Sequence, residues 1–279
     1  MVTGIERFVS SQLNPSLSVI NMISTKPLLS LLCFASILVG AASGFLPSAN
    51  AEIFEMRTYT TNEGKLDDLN ARFRDHTVGL FKKHGIRSLG YWVPTDKETS
   101  ANTLIYIIAH QDRDAAKASW KAFMGDPDWK AAYKASEAAG PILAKTPESV
   151  YMDAADYSPN FSGEGAGDDA VYELRIYKTA EGKLPGLDSR FRDHTIKLFN
   201  KHSIESVGYW HPIDEPDSKD TLIYIVRHAS RDTAKDTWKA FSQDPNWKTV
   251  AQESQKDGKF LRERPTSIYM TPTDYSAMK

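Results

Sequence analysis

The hexapeptide Arg72-Phe73-Arg74-Asp75-His76-Thr77 returns unchanged as Arg190-Phe191-Arg192-Asp193-His194-Thr195, 118 positions later. The same offset carries Tyr91-Trp92 onto Tyr209-Trp210 and Asp126-Pro127 onto Asp244-Pro245. It holds without a gap from Phe54/Tyr172 to Tyr157/Tyr275, with about half the aligned residues identical. A repeat of fixed period constrains the fold more than any local propensity, because both copies must satisfy one architecture. The chain is one domain written twice, as units of roughly 100 residues, each large enough for its own core. The first repeat is read as residues 52–157 and the second as 171–279. Residues 158–170 between them are glycine-rich and serve as a linker.

Within the first repeat, Phe54 to Thr60 alternates, placing Glu55, Arg57 and Tyr59 on one face and Phe54, Met56 and Thr58 on the other, as in a strand. From Lys65 to Lys83 the apolar positions Leu66, Leu69, Phe73, Leu80 and Phe81 fall at helical spacing, and Gly85 closes the helix. A second strand covers Ser88 to Val93, and a third the β-rich run Thr103 to His110. A helix follows from Arg113 to Phe123. Asp126-Pro127 then supplies a cap and a first-turn proline for another helix, carrying Trp129 and Tyr133. A last strand runs from about Glu148 to Asp153. The order is the βαββαβ of a ferredoxin-like unit, so the fold class is α+β. Such a sheet has helices on one face only, and two covalently joined copies can cover each other's bare faces about a pseudo-twofold. The expected result is an intrachain dimeric α+β barrel.

Ahead of the repeats, residues 1–51 read as a signal peptide. The run Pro27 to Gly44 is apolar and uncharged, follows Lys26, and is short for a membrane span of about 20 residues. Ser48-Ala49-Asn50-Ala51 offers an A-x-A cleavage site, and Met22 would begin a signal of ordinary length. Leu32 stands where a lipoprotein signal needs a small residue before Cys33, and Arg7 is the only arginine of the segment, against a mitochondrial presequence. The folded part is expected to be secreted or periplasmic. The alternative is a membrane anchor through an uncleaved leader.

Charge is balanced, 34 Lys and Arg against 36 Asp and Glu, so no basic field exists to hold nucleic acid. Cys33 is the only cysteine, and no H-x-x-x-H or H-E-x-x-H spacing occurs, so no metal site is expected.

Phe54-Glu55-Met56-Arg57-Thr58-Tyr59, Gly64-Lys65-Leu66, Phe73, His76, His84-Gly85-Ile86, Gly90-Tyr91-Trp92 and Asp126-Pro127-Asp128-Trp129 form an ordered set. It recurs as Tyr172 to Tyr177, Gly182-Lys183-Leu184, His194, Gly208-Tyr209-Trp210 and Asp244-Pro245-Asn246-Trp247. In this the chain resembles the NIPSNAP family over both repeats. The resemblance implies a dimeric α+β-barrel domain and no agreed catalytic activity. Ser203 departs from the pattern where the first repeat has Gly85.

Two sets of residues could do chemistry. Glu55, Arg57 and Tyr59, copied as Glu173, Arg175 and Tyr177, are expected to line the barrel interior, leaving Met56, Leu174 and Ile176 to the helix side. There they would form either a register-fixing Glu-Arg bridge or a pocket for a polar or anionic ligand. His110 and His228 share parity with Tyr106 and Tyr224, placing imidazole and phenol on one side of the sheet, within reach of Arg57 or Arg175. His76 and His194 lie on the helical stripe and are expected to face inward, as hydrogen-bonded core residues or as a general base or haem ligand. His84 and His202 are expected to meet carbonyls at the helix end. The reading favoured is a module binding a small molecule or a protein, able to form a higher homo-oligomer, with no cofactor. The rival reading is a cofactor-independent monooxygenase or a haem-handling enzyme using His76/His194 or His110/His228.

Overall fold

The computed structural model describes residues 52–161 and 170–278; the leader, with Met22, Cys33 and the cleavage site, and most of the linker lie outside them. In the first repeat, β1 (Ile53–Thr60) leads into α1 (Leu66–Arg72), a π-helical turn (Phe73–Thr77) and α2 (Val78–Lys83). Then come β2 (Arg87–Pro94), β3 (Thr103–His110), α3 (Arg113–Gly125), α4 (Pro127–Ser136) and β4 (Glu148–Ala154). The second repeat supplies β5 (Val171–Lys178), α5 (Leu184–Arg190), a π-helical turn (Phe191–Thr195), α6 (Ile196–Lys201) and β6 (Glu205–Pro212). It ends with β7 (Thr221–His228), α7 (Arg231–Gln243), α8 (Pro245–Ser254) and β8 (Thr266–Pro272). Asp126 and Asp244 cap α4 and α8 by accepting from the N–H of Asp128 and Asn246, each at 2.8 Å, with proline in the first turn as the sequence predicts.

The eight strands hydrogen-bond around a closed antiparallel ring, β1-β3-β2-β8-β5-β7-β6-β4. Each repeat contributes four strands, and the repeats meet at two seams, Trp92 to Pro94 against Pro272 to Met270 and Met152 to Ala154 against Pro212 to Trp210. Closure gives every strand a neighbour on both sides, over three residues at each seam, which neither repeat could achieve alone.

The interior of the ring is apolar. Phe54, Met56, Trp92, Ile105, Ile107 and Met152 of the first repeat pack there with Tyr172, Leu174, Trp210, Ile223, Ile225 and Met270 of the second. Rings from the two halves touch directly, Phe54 with Trp210 at 5.9 Å and Trp92 with Tyr172 at 5.6 Å between centroids. The Gly-Tyr-Trp pattern serves this core. A register shift between Ser88 and Gly90 brings Gly90 under the Trp92 indole, where a Cβ would sit 2.4 Å from ring carbons; Gly208 stands likewise under Trp210, at 2.3 Å.

The strand parity is the reverse of the sequence expectation. Met56, Leu174 and Ile176 point into the barrel, whereas Glu55, Arg57 and Tyr59 and their copies lie beneath the helices. A closed interior receives side chains from strands alone and has no helix to supply polar partners, so the uniformly apolar face of every strand turns inward. The helices bring indole N–H groups that can meet a buried carboxylate.

The repeated hexapeptide forms the π turn. Thr77 donates its hydroxyl to the Arg72 carbonyl at 3.1 Å, and Phe73 packs among Tyr59, Tyr91 and Tyr106. The extra residue of the wider turn moves His76 off the apolar stripe and puts Thr77 on it. His76 and His194 are therefore exposed, not inward as the helical periodicity predicts. Arg74 grips Asp274 at 2.6 and 2.7 Å, and Arg192 grips Asp156 at 3.0 and 2.7 Å, so each repeat's end is held on the other repeat. Ser203 takes φ +55° where Gly85 has +73°, and the helix ends at the same place in both copies.

Candidate functional site

Beneath α3, the fully buried Glu55 carboxylate sits among four donors. Arg57 Nη1 donates at 2.7 Å, Ser149 Oγ at 2.6 Å, Trp120 Nε1 at 2.7 Å, and His110 Nε2 lies at 3.2 Å. Strand alternation positions Glu55 and Arg57 on one face, and the pairing of β1 with β3 and β4 sets Ile53 beside His110 and Arg57 beside Ser149. The second copy repeats the constellation around Glu173, with Arg175 at 2.5 Å, Ser267 at 2.6 Å, Trp238 at 2.6 Å and His228 at 3.2 Å. Each guanidinium also lies over its tryptophan, 4.6 Å from the ring centroid.

Burial pushes the Glu55 carboxyl up. The His110 hydrogen bond, the Arg57 charge and the Ser149 and Trp120 hydrogen bonds together outweigh it and hold the group down at about 2; Glu173 behaves identically through His228, Arg175, Ser267 and Trp238. Burial pushes the Tyr106 and Tyr224 phenols well above their ordinary value, and each hydroxyl donates to a neighbouring phenol, Tyr59 at 3.2 Å and Tyr177 at 2.8 Å. The charged and phenolic groups predicted to meet do meet. They form a network buried at its centre, where each carboxylate is already surrounded by donors, and open at its edge, where Ser149 and Ser267 are exposed. Trp120, Ser149 and their copies complete it. Their signal was the indole repeated at the same helical position and a hydroxyl opposite Arg57 in the last strand.

The four candidate histidines divide. His110 and His228 are buried side by side with the glutamates, each Nε2 committed to a carboxylate rather than free to ligate iron. His76 and His194 lie on the outer surface in separate clefts. Contrary to expectation, His84 and His202 bind the capping carboxylates Asp126 and Asp244, at 2.7 and 2.8 Å, rather than carbonyls at their helix ends. Among the described residues, no group of three or more His, Cys, Asp or Glu side chains is placed to hold a metal ion, and no helix is long and apolar enough to cross a membrane.

One hollow, about 470 Å³, reaches Phe54 and Trp210 of the barrel core, and others lie outside the barrel. Between α1, its π turn and α4 is a cleft of about 350 Å³, reached by Arg72, Asp75, His76 and Ser136. Its counterpart between α5, the second π turn and α8 is about 570 Å³ and reached by Lys183, Arg190, His194, Ser254 and Phe260. Another hollow, about 410 Å³, borders His228, but its charged wall is the Arg227–Glu205 ion pair. Arg72 and Arg190, members of the repeated hexapeptide, are recognisable as buried only once α4 and α8 fold across them.

The NIPSNAP family model matches residues 54–159 and again 172–277. Among solved structures, a candidate monooxygenase from Lactobacillus acidophilus NCFM shares 11% identity at a TM-score of 0.52, covering 80% of this chain and 94% of that one. A second candidate monooxygenase, from Fusobacterium nucleatum, shares 13% identity at a TM-score of 0.50, covering 80% and 92%. A NIPSNAP domain protein from Burkholderia xenovorans shares 23% identity at a TM-score of 0.34, covering 39% of this chain and 99% of that one. The curated proteins contain no match to the sequence. At these identities the two likenesses with TM-scores of 0.52 and 0.50 establish a shared fold and nothing about activity.

Proposed function

We propose, for a chain that belongs to the NIPSNAP family through both of its repeats, that it is a small-ligand binding module whose ligand sits in a helical cleft on the outside of the barrel. The observation that carries this reading is the burial of the Glu55 and Glu173 constellations, whose groups are already committed to one another. Glu55 and Glu173 are fully buried and donor-saturated, His110 and His228 are turned to them, and the barrel interior is filled by apolar side chains. A substrate oxidised by imidazole or phenolate chemistry would need room beside those groups. The hollow bordering His228 is walled by the Arg227–Glu205 ion pair, and more room lies at the second-repeat cleft.

Each repeat is read as a ferredoxin-like unit, supported by its βαββαβ element order and by the strand sequence β4-β1-β3-β2 of the first copy within the ring. Export to the periplasm or the medium rests on the leader sequence alone, and recovery of mature chain beginning at Glu52 from the envelope or medium tests it.

The alternative, a cofactor-independent monooxygenase or haem-handling enzyme, draws on the fold shared with the two candidate monooxygenases. One experiment separates the readings. Purified protein is mixed with haem and, separately, with aromatic and quinol compounds under an oxygen electrode. The binding module gives saturable shifts with some compounds, no new Soret band and no oxygen uptake. Uptake lost on combining His110→Ala with His228→Ala, or His76→Ala with His194→Ala, overturns it.

A further inference from the structure

Duplication supplies an internal control for the larger cleft, because every residue lining it has a partner 118 positions earlier. In the first repeat, buried Arg72 has an internal counter-ion, although its Nε, like that of Arg190, has no hydrogen-bond partner. Its Nη1 meets Glu137 at 3.3 Å and Ser136 at 3.2 Å, and its guanidinium lies 5.5 Å from the Trp129 ring and 5.4 Å from that of Tyr133. In the second repeat the arginine, the tryptophan (Trp247) and the serine (Ser254) are kept, but the counter-ion and the tyrosine are not. Glu137 becomes Gln255, Tyr133 becomes Ala251, and Asp68 on the facing helix becomes Gly186.

Gln255 is turned away, donating to the Ala251 carbonyl at 3.0 Å and accepting from the Phe260 N–H at 3.1 Å. Ser254 likewise bonds the Ala251 carbonyl. Arg190 is left 93% buried between the rings of Trp247 and Phe260, at 5.2 and 4.9 Å; its Nε has no hydrogen-bond partner and its side chain lines the cleft. Aromatic faces attract a cation but do not accept its in-plane hydrogen bonds. Burial pushes the Arg190 guanidinium down, with only the phenols of Tyr177 and Tyr224 acting against it, whereas arginine stays protonated at any working pH. A buried charge without a counter-ion is strongly unfavourable, so an anion entering the cleft gains what Glu137 supplies in the first repeat.

The other charged groups around the cleft narrow the choice. Lys183 donates to the Asp257 carbonyl at 2.9 Å, while Asp193, Glu253 and Asp257 form an exposed acidic rim and His194 stands beside them. That rim opposes a polyanion such as phosphate and tolerates a single negative charge at the bottom. The planar fork of a guanidinium matches a carboxylate in two parallel hydrogen bonds, and Phe260 and Val250 offer apolar surface for the rest of the molecule.

We propose that the second-repeat cleft is a binding site for a small monocarboxylate, held by Arg190 in the place that Glu137 occupies against Arg72. This rests on the binding-module reading and specifies its ligand class. The first-repeat cleft is the same site closed by an internal carboxylate.

The test is a calorimetric or NMR titration of the intact protein at constant ionic strength with sodium benzoate, with benzamide as its uncharged isostere and with inorganic phosphate. Wild type is expected to bind one benzoate, and both benzamide and phosphate at least tenfold more weakly. Gln255→Glu, which restores the first repeat's ion pair, is expected to lose benzoate binding at least tenfold and to raise the melting temperature. Glu137→Gln is expected to open a second benzoate site in the first repeat. Arg190→Gln abolishes the original one, and the wild-type and Gln255→Glu results decide the matter even if that variant fails to fold. Absence of benzoate binding to wild type, equal binding of benzamide or phosphate, or benzoate binding unchanged by Gln255→Glu overturns the inference. Equal binding of benzamide that survives Gln255→Glu does so while leaving the binding module standing; oxygen uptake in the experiment above removes the module itself.

Discussion

Replacing Glu55 by Gln keeps the volume of the side chain and removes only its charge, so it isolates what the donor network contributes. The substituted amide directs an NH2 at donors that now converge on a carboxylate, Arg57, Ser149, Trp120 and His110. Losing one partner of a buried ion pair costs about 3–5 kcal/mol. The proton equilibrium gives an independent figure. A carboxyl lowered from its ordinary 4.5 to about 2 on folding stabilises the native state by about 3 kcal/mol near pH 7, at about 1.4 kcal/mol for each tenfold change in proton affinity. Because the folded value is the lower one, this stabilisation is fully present above 4.5 and is lost as pH falls through 2. Urea unfolding of wild type and Glu55→Gln should thus differ by about 3 kcal/mol at pH 7, with the gap shrinking to under half at pH 3. In thermal melts the difference at neutral pH corresponds to roughly 6–12 °C for a fold of this size. A cost below about 1 kcal/mol, or a gap that stays constant between pH 7 and pH 3, would refute the claim that a charged, saturated carboxylate sits there.

Glu173→Gln should reproduce both the size and the pH dependence, since the second network matches the first. Gly90→Ala or Gly208→Ala should destabilise by about 1–3 kcal/mol in urea unfolding, because the new Cβ collides with a fully buried indole; a neutral effect would mean the bulge can be rebuilt. Asp126→Ala removes a helix cap that also receives His84 and Lys83, and should lower stability by about 1–2 kcal/mol. At a pH just above the ordinary tyrosine value of 10, a spectrophotometric titration should leave Tyr106 and Tyr224 unionised while the protein is folded, with their absorbance appearing on denaturation. Full phenolate absorbance in native protein at that pH would contradict the burial on which the argument against catalysis rests.

Much of this protein was legible in its residues. The 118-residue repeat announced two equivalent units, the alternation of Phe54 to Thr60 and the Asp126-Pro127 stop and restart marked out strands and helices, and the family pattern gave the barrel. The parity of Tyr106 and His110 placed them together on one side of β3, near Arg57, where the structure finds them. Alternation fixes which residues share a face. It does not say which face is inside, since that depends on what covers each side, and the covering elements are distant in sequence. Only ring closure made the uniformly apolar faces the interior and sent Glu55 and Arg57 to the indole of Trp120, 65 positions away. The same limit governs His76, whose outward turn follows from one extra residue in a π turn that regular helical spacing does not anticipate. It governs Arg190 as well: Glu137 and Gln255 are one difference among many in an alignment of the repeats. What gives that difference weight is the packing of α8 over a buried guanidinium, which turns the loss of a single charge into an unmatched cation at the base of a cleft.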